Sequence, residues 1–377
     1  MKILQNKKIL LVCDVNPSGG SFYFLDRLLV FLKSQGAKSF LILSNSGSRE
    51  TLQSALTQKV QDYFIINDDK NFCRFDLLFP INILIERIKY KSIIDGVSPD
   101  ITIISSSVPG RYFGLLDKSA PAVYVLHSYP THSHNPFHQL EGLYLKNKLS
   151  QGKKRILTVS QFAAKSISTF WALEKYEKCL KIIPTGVKDH EYLTKSSEQE
   201  TIRIVTIGTV VDYKNVSLWF EVAKEIVNDH HNVQFIWLGT GPLEEYYKRK
   251  VKIEKLDGKI VFYGHVKKVG SALGIASIYF QPSLIESQGI AAVEAMSYGL
   301  PLIVSNKGGL PELVQNGDSG YVVNVEDTAS VKEAITKLIE DPNKRKIMGK
   351  ASRKRFLSKY TFEKWTHNIE NIFKDII

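Results

Sequence analysis

The stretch Ala276–Val323 reads ASIYFQPSLIESQGIAAVEAMSYGLPLIVSNKGGLPELVQNGDSGYVV. Its opening run, SIYFQPS, has the composition of a buried strand and ends at Pro282-Ser283. Residues from about Gly289 to Tyr298 have helix composition, with Gly299-Leu300-Pro301 as the stop and PLIVSN as the next strand. A glycine at a helix start lets a ligand reach bare N–H groups whose partial positive charge suits a phosphate. Ile290 and Glu294 lie one turn apart on one face, which brings Glu294 near whatever an anion at the helix start is attached to. A carboxylate behind a phosphate would be repelled by it. It makes sense as an acceptor for sugar hydroxyls of a nucleotide diphosphate, with Glu286 on one side and Glu294 on the other. The plainer alternative is a glycine-started helix with one surface and one half-buried glutamate.

Outward from this stretch, both halves of the chain alternate short apolar runs with helical periods, as doubly wound α/β domains do. KKILLVCDV, SFLILS, ITIISS, PAVYVLH and RILTVS read as strands of the first half; IRIVTIG, VQFIWLG, IVFYG, SIYFQPS and PLIVSN as those of the second. Phe24, Leu28, Phe31 and Leu32 recur at helix spacing after the first strand, and Gly36 closes that helix. The polar, strandless residues 188–200 are the expected linker. The domains expected are therefore 1–187, then 201–355 after the linker.

With those residues in view, the chain resembles the family-4 retaining glycosyltransferases, also called group 1 glycosyl transferases. The resemblance is strongest from 204 to 323 and looser in the first half. A bare E-x7-E carries almost no weight. Strand, Pro-Ser, E-x7-E, Gly-x-Pro, strand and Gly-Gly-x-Pro-Glu in one register is specific. In that family Gly-Phe usually follows the first glutamate; here Ser287-Gln288 stand there. The resemblance implies a GT-B fold, in which two Rossmann-like doubly wound domains face each other across a cleft. It also implies a C-terminal helix, residues 356–377, that crosses back to the first domain.

The same likeness implies that Glu286 faces the transferred sugar and Glu294 the ribose, while the Gly289 and Ile290 amides hold the diphosphate. GTVVDYKN, after strand IRIVTI, resembles the family's Gly-Arg-x4-Lys-Gly loop. Lys214 matches the lysine, whose ammonium would neutralise the departing diphosphate. Thr209 stands in place of the arginine and Asn215 in place of the second glycine. His127 matches a histidine that ends a first-domain strand near the sugar and acceptor; a structural histidine is the competing reading. Val266, in Gly264-His265-Val266, matches the loop passing the nucleotide base. Gly19 and Gly20 match the glycine-rich first loop, where backbone amides would approach the donor; a turn requiring positive φ is the alternative. Thr185, in Pro184-Thr185-Gly186-Val187, replaces the asparagine of a further family landmark.

The implied activity is transfer of a sugar from a nucleotide-diphosphate sugar, with retained anomeric configuration, to a glycan or lipid-linked acceptor of surface polysaccharide assembly. The leaving phosphate itself would help take the acceptor proton, so no dedicated base is needed. No Asp-x-Asp triad is visible, and neither a metal nor another cofactor is expected. His132, His134 and His138 lack the carboxylate or cysteine partners of a closed zinc site. The competing class is a non-catalytic partner that keeps the fold or nucleotide-sugar binding, suggested by Thr209, Thr185 and Ser287-Gln288. A dinucleotide enzyme is disfavoured, because G-x-G-x-x-G is absent.

The 377 residues favour two domains. Net charge is +12, and residues 1–187 carry 24 Lys/Arg against 14 Asp/Glu. That uneven basic half suggests an anionic partner. Arg87-Ile88-Lys89-Tyr90-Lys91, and Lys146-Asn147-Lys148 with Lys153-Lys154-Arg155, would suit an anionic membrane surface; simple solubility explains them equally. Nucleic acid is not expected without a helix-turn-helix, zinc-finger or aromatic RNA-binding signature. Three scattered cysteines, Cys13, Cys73 and Cys179, fit a reducing compartment. Together with the absence of a signal peptide or spanning run, they give the expectation of a cytoplasmic protein, peripheral at the inner face of the membrane.

Overall fold

The structure is a computed structural model that describes residues 2–14, 20–44, 56–66, 79–107, 110, 112–117, 121–130, 138–190, 201–266 and 268–377. The chain forms two compact units, one of Met1–Pro184 with Trp365–Ile377 and one of Thr185–Lys364. Each is built on one parallel sheet.

In the first unit the strands are β1 Lys8–Cys13, β2 Lys38–Ser44, β3 Asp62–Ile66, β4 Ile101–Ser106, β5 Ala122–Leu126, β6 Lys154–Thr158 and β7 Leu180–Ile182. They lie in the order β3-β2-β1-β4-β5-β6-β7. The chain runs outward from β1 to β3, then returns beside β1 to start β4. Ligands of open α/β sheets gather at the strand ends beside such a reversal. Helix Gly20–Ser34 follows β1 and buries Phe24, Leu28, Phe31 and Leu32, the residues whose spacing marked it. The C-terminal helix Phe362–Ile376 packs on the same unit. It buries Trp365, Ile369, Ile372, Phe373 and Ile376, a stripe at helical spacing. Trp365 meets Phe24 edge-on at 5.5 Å, and Arg155 bonds Asp375 at 2.8 Å.

In the second unit the strands are β8 Ile202–Ile207, β9 Val233–Leu238, β10 Ile260–Gly264, β11 Ile278–Gln281, β12 Leu302–Ser305 and β13 Gly320–Val323. Their order is β10-β9-β8-β11-β12-β13, so the reversal falls between β8 and β11. Both faces are covered, as an all-parallel sheet requires. Ile204, Phe280 and Ile303 enter one core cluster, while their neighbours Val205, Tyr279 and Val304 enter the other.

Several boundaries differ from the sequence reading. Strands β3, β7 and β13 were not in it. Helix Pro342–Lys359 runs straight through residue 356 and stays with the second unit; the chain breaks at Tyr360-Thr361 and returns to the first unit at Trp365. The expected first-domain end at 187 lies three residues beyond Pro184, because Val187 pairs with Thr361. Of the linker, 188–190 lie in the second unit and 191–200 fall outside the described residues. The basic cluster 146–155 is not a uniformly exposed face. Lys148 and Lys154 are 8% and 3% exposed, and Arg155 is engaged with Asp375.

Candidate active site

The second sheet's reversal brings two loops together. One follows β8 and carries Thr209 and Lys214. The other follows β11 and carries Glu286 to Gly289. Lys214 reaches this point through a short 3-10 turn, Asp212–Lys214, which ends at Asn215 with φ 58°. That left-handed conformation is the reason glycine is usual there; asparagine is among the few side-chain-bearing residues that accept it. The replacement of the family glycine therefore leaves the turn intact. Thr209 is exposed in the same loop.

The Lys214 ammonium forms an ion pair with Glu286 Oε2, and both side chains are largely shielded, at 16% and 18% exposure. The same Oε2 accepts a bond from Gln281 Nε2 at 2.9 Å. Gln281 Oε1 in turn accepts from Tyr279 Oη at 3.0 Å. Burial, together with the negative charges of Glu286 and Glu294, pushes the Tyr279 phenol well above its ordinary range, so it stays a donor. Glu286 is also fixed through its backbone, since its carbonyl accepts from Gly309 N at 2.9 Å.

Gly289 has φ 91° and forms the N-cap of helix Ile290–Ser297. That positive φ favours glycine, and a Cβ on Gly289 would come within 2.6 Å of Leu310 Cδ2 and push that side chain aside. The first N–H groups of a helix have no acceptor within it, and the Gly289 and Ile290 amides occupy this position. Glu294 lies one turn further on, half-buried. Val266 follows β10 and is half-buried against the core cluster on that face. The structure thus gathers Lys214, Glu286, Gly289, Ile290 and Glu294 around one helix start.

Gln288, in the slot where the family usually has phenylalanine, is 4% exposed. Its amide grips the backbone of Thr185 at both ends, accepting from Thr185 N at 2.8 Å and donating to Thr185 O at 3.1 Å. Ser287-Gln288 is therefore a second way of anchoring the turn, polar instead of apolar. Sequence reasoning missed both glutamines as site-supporting residues. The available signal was two amide side chains inside otherwise apolar surroundings, since a buried amide must find partners.

In the first unit, Asp14 follows β1 and accepts from Ser106 Oγ at 2.8 Å and Ser107 N at 2.9 Å. Ser105 Oγ bonds His127 Nε2 at 2.8 Å, and Phe24 packs edge-on to the imidazole at 5.0 Å. Desolvation lowers the His127 pKa to about 4, so the ring is neutral near pH 7. A neutral imidazole can exchange a hydrogen bond with a sugar hydroxyl but contributes no charge to a leaving diphosphate. Gly20 begins its helix, exposed. Gly19, His132 and His134 lie outside the described residues, as does the side chain of His138. Among the described residues no group of three or more His, Cys, Asp or Glu is placed to hold a metal, and no helix is long and apolar enough to cross a membrane.

Residues 190–355 match the family described as Glycosyl transferases group 1. N-acetyl-alpha-D-glucosaminyl L-malate synthase of Bacillus anthracis is 28% identical over 188 residues, 50% of this chain and 48% of that protein. UDP-Gal:alpha-D-GlcNAc-diphosphoundecaprenol alpha-1,3-galactosyltransferase of Escherichia coli is 25% identical over 57% of this chain and 62% of its own length. The chain thus spans only about half to three-fifths of these curated relatives. Among solved structures, a glycosyltransferase from Rickettsia africae superposes with TM-score 0.81 at 18% identity, covering 98% of both chains. At that identity the likeness shows the fold, and the fold is GT-B.

Proposed function

We propose, from the match of residues 190–355 to the group 1 glycosyl transferases, that the chain moves a sugar from a nucleotide-diphosphate sugar to a glycan or lipid-linked acceptor. The observation that carries this reading is the convergence of Lys214, Glu286 and the Gly289-started helix at the reversal between β8 and β11. The diphosphate lies at the Gly289 and Ile290 amides. Glu294 takes the ribose hydroxyls and Glu286 the hydroxyls of the transferred sugar.

As the sugar–phosphate bond breaks, negative charge collects on the departing diphosphate. The helix start and the Lys214 ammonium are preorganised to receive it. In the unliganded protein that ammonium rests on Glu286; a bound diphosphate competes for it. The reaction retains anomeric configuration, needs no metal, and uses the leaving phosphate to accept the acceptor's proton. Acceptor binding is assigned to the first unit, where His127 is a neutral hydrogen-bonding group. The Escherichia coli relative, by its name, uses UDP-Gal and a diphosphoundecaprenol acceptor, which supports a UDP-sugar and a lipid-linked substrate here.

A thermal-shift screen of nucleoside diphosphates tests donor binding, because a ligand that binds only the folded state raises the melting point. One diphosphate class should stabilise the protein, and Glu294→Ala should weaken that shift. Wild-type stabilisation of the variant would contradict the ribose role.

A lipid-linked acceptor calls for a membrane-facing surface. Helix Phe79–Val97 exposes Leu84 and Ile88, at 54% and 68%, next to Arg87, Lys89 and Lys91. Apolar side chains beside cations suit an anionic leaflet. In vesicle flotation the protein should rise with anionic and not with neutral lipid. Failure to bind either would remove this surface from the account.

A further inference from the structure

We propose that Gln281 is the positioning residue that aims Glu286, gripping one carboxylate oxygen so that the other is left to meet the substrate. The inference rests on the assignment of Glu286 to the transferred sugar and adds the group that orients it.

Strand β11 is buried at all four positions, Ile278 to Gln281. An amide in such a strand is costly unless its polar atoms are bonded, and an apolar residue would fill the site more cheaply. Gln281, 2% exposed, meets that cost with an ordered set of contacts. Its Nε2 donates to Glu286 Oε2 at 2.9 Å and reaches Ser283 Oγ at 3.4 Å. Its Oε1 accepts from Tyr279 Oη at 3.0 Å.

The chemistry of the two neighbours fixes which way the amide points. An ionised carboxylate can only accept, so it must face the NH2 end. The phenol is held protonated by its burial, so it serves as the donor to the oxygen end. Reversing the amide would set oxygen against oxygen at Glu286. Tyr279 and Gln281 project from the same side of the strand, two residues apart, and so form one chain of bonds, Tyr279 to Gln281 to Glu286.

Both contacts on Glu286, from Gln281 and from Lys214, go to Oε2. Among the described residues no hydrogen bond is made to Oε1. When a diphosphate draws Lys214 away, Gln281 remains as the holder of that carboxylate. An amide does not titrate, so Gln281 itself remains a donor at every working pH.

The bland alternative is that Gln281 only satisfies the Tyr279 hydroxyl. Tyr279→Phe with Gln281→Leu removes donor and acceptor together and leaves no orphaned phenol. In that background kcat for sugar transfer should fall by about 10²-fold, the scale of a misplaced reacting group, with donor KM and nucleoside diphosphate binding changed much less. A single Gln281→Glu should show activity that recovers toward acid pH, where the new carboxyl is protonated and can donate to Glu286. Wild-type kcat in the double variant, or a pH profile of Gln281→Glu parallel to wild type, would overturn the proposal.

A second readout needs no turnover. In the unliganded protein, melting-point losses of Gln281→Leu and Glu286→Ala, both made on Tyr279→Phe, should be non-additive. Strict additivity would also overturn it. A wild-type protein silent toward every donor would sink the transferase reading instead, and the melting cycle would still decide the contact.

Discussion

Lys214→Ala is expected to lower kcat/KM for the nucleotide-sugar donor by about 10²–10³-fold, the range measured when one preorganised electrostatic group is removed from a developing negative charge. Two features make Lys214 the place for so large an effect. Thr209 occupies the slot where the family has an arginine, so Lys214 is the one cation of the matched loop. Its side chain is only 16% exposed, where charge interactions are less screened than at the surface. Truncation also leaves the Glu286 carboxylate with Gln281 as its remaining partner. Lys214→Arg keeps the charge and should recover part of the loss. Steady-state kinetics with the stabilising donor class provide the check. A fall below threefold in Lys214→Ala would mean that the charge of the leaving diphosphate is met elsewhere.

The largest expected stability effect lies at a residue that touches no substrate. Gly308 has φ 62°, and a Cβ placed there would sit 2.0 Å from Glu286 O and 3.0 Å from Glu286 C. Neither atom can swing aside, because both are backbone. Gly308→Ala must combine left-handed strain with displacement of the Glu286 peptide, a loss of about 3–5 kcal/mol. For a unit of this size that corresponds to a melting point lower by roughly 6–20 °C. The displaced peptide is the one held by Gly309 N, so residual folded protein should also transfer sugar poorly. An unchanged melting point would show that the Gly308–Glu286 contact is looser than the structure has it.

Much of this was legible in the sequence where local pattern and tertiary outcome agree. Apart from IVFYG, which became edge strand β10, the apolar runs became inner strands, because parallel strands are buried on both faces and need no polar alternation. Gly289 was readable as a helix start, and the helix period places Glu294 one turn beyond Ile290; Glu286, in the loop before the helix, was marked only by the family resemblance. The other three edge strands were harder. DYFII, LKI and GYVV are short, and two of them begin with or contain a charge, so neither length nor periodicity marks them. Gln288 and Thr185 are 103 positions apart, and no spacing rule joins them. The Tyr279–Gln281–Glu286 chain was hidden for a different reason. It depends on which end of an amide faces which neighbour, a property of packed geometry alone. Lys148 and Lys154 looked like surface charge by composition, and burial of long side chains by their aliphatic stems carries no sequence signature.

The proposed site of the nucleotide sugar is the start of helix Ile290–Ser297. A structure of the protein with a bound nucleoside diphosphate sugar tests it most directly. The diphosphate should lie within hydrogen-bond reach of the Gly289 and Ile290 amides, with Lys214 turned toward it, Glu294 on the ribose and Glu286 on the sugar. A diphosphate bound away from that helix start, with the Lys214–Glu286 pair undisturbed, would contradict it.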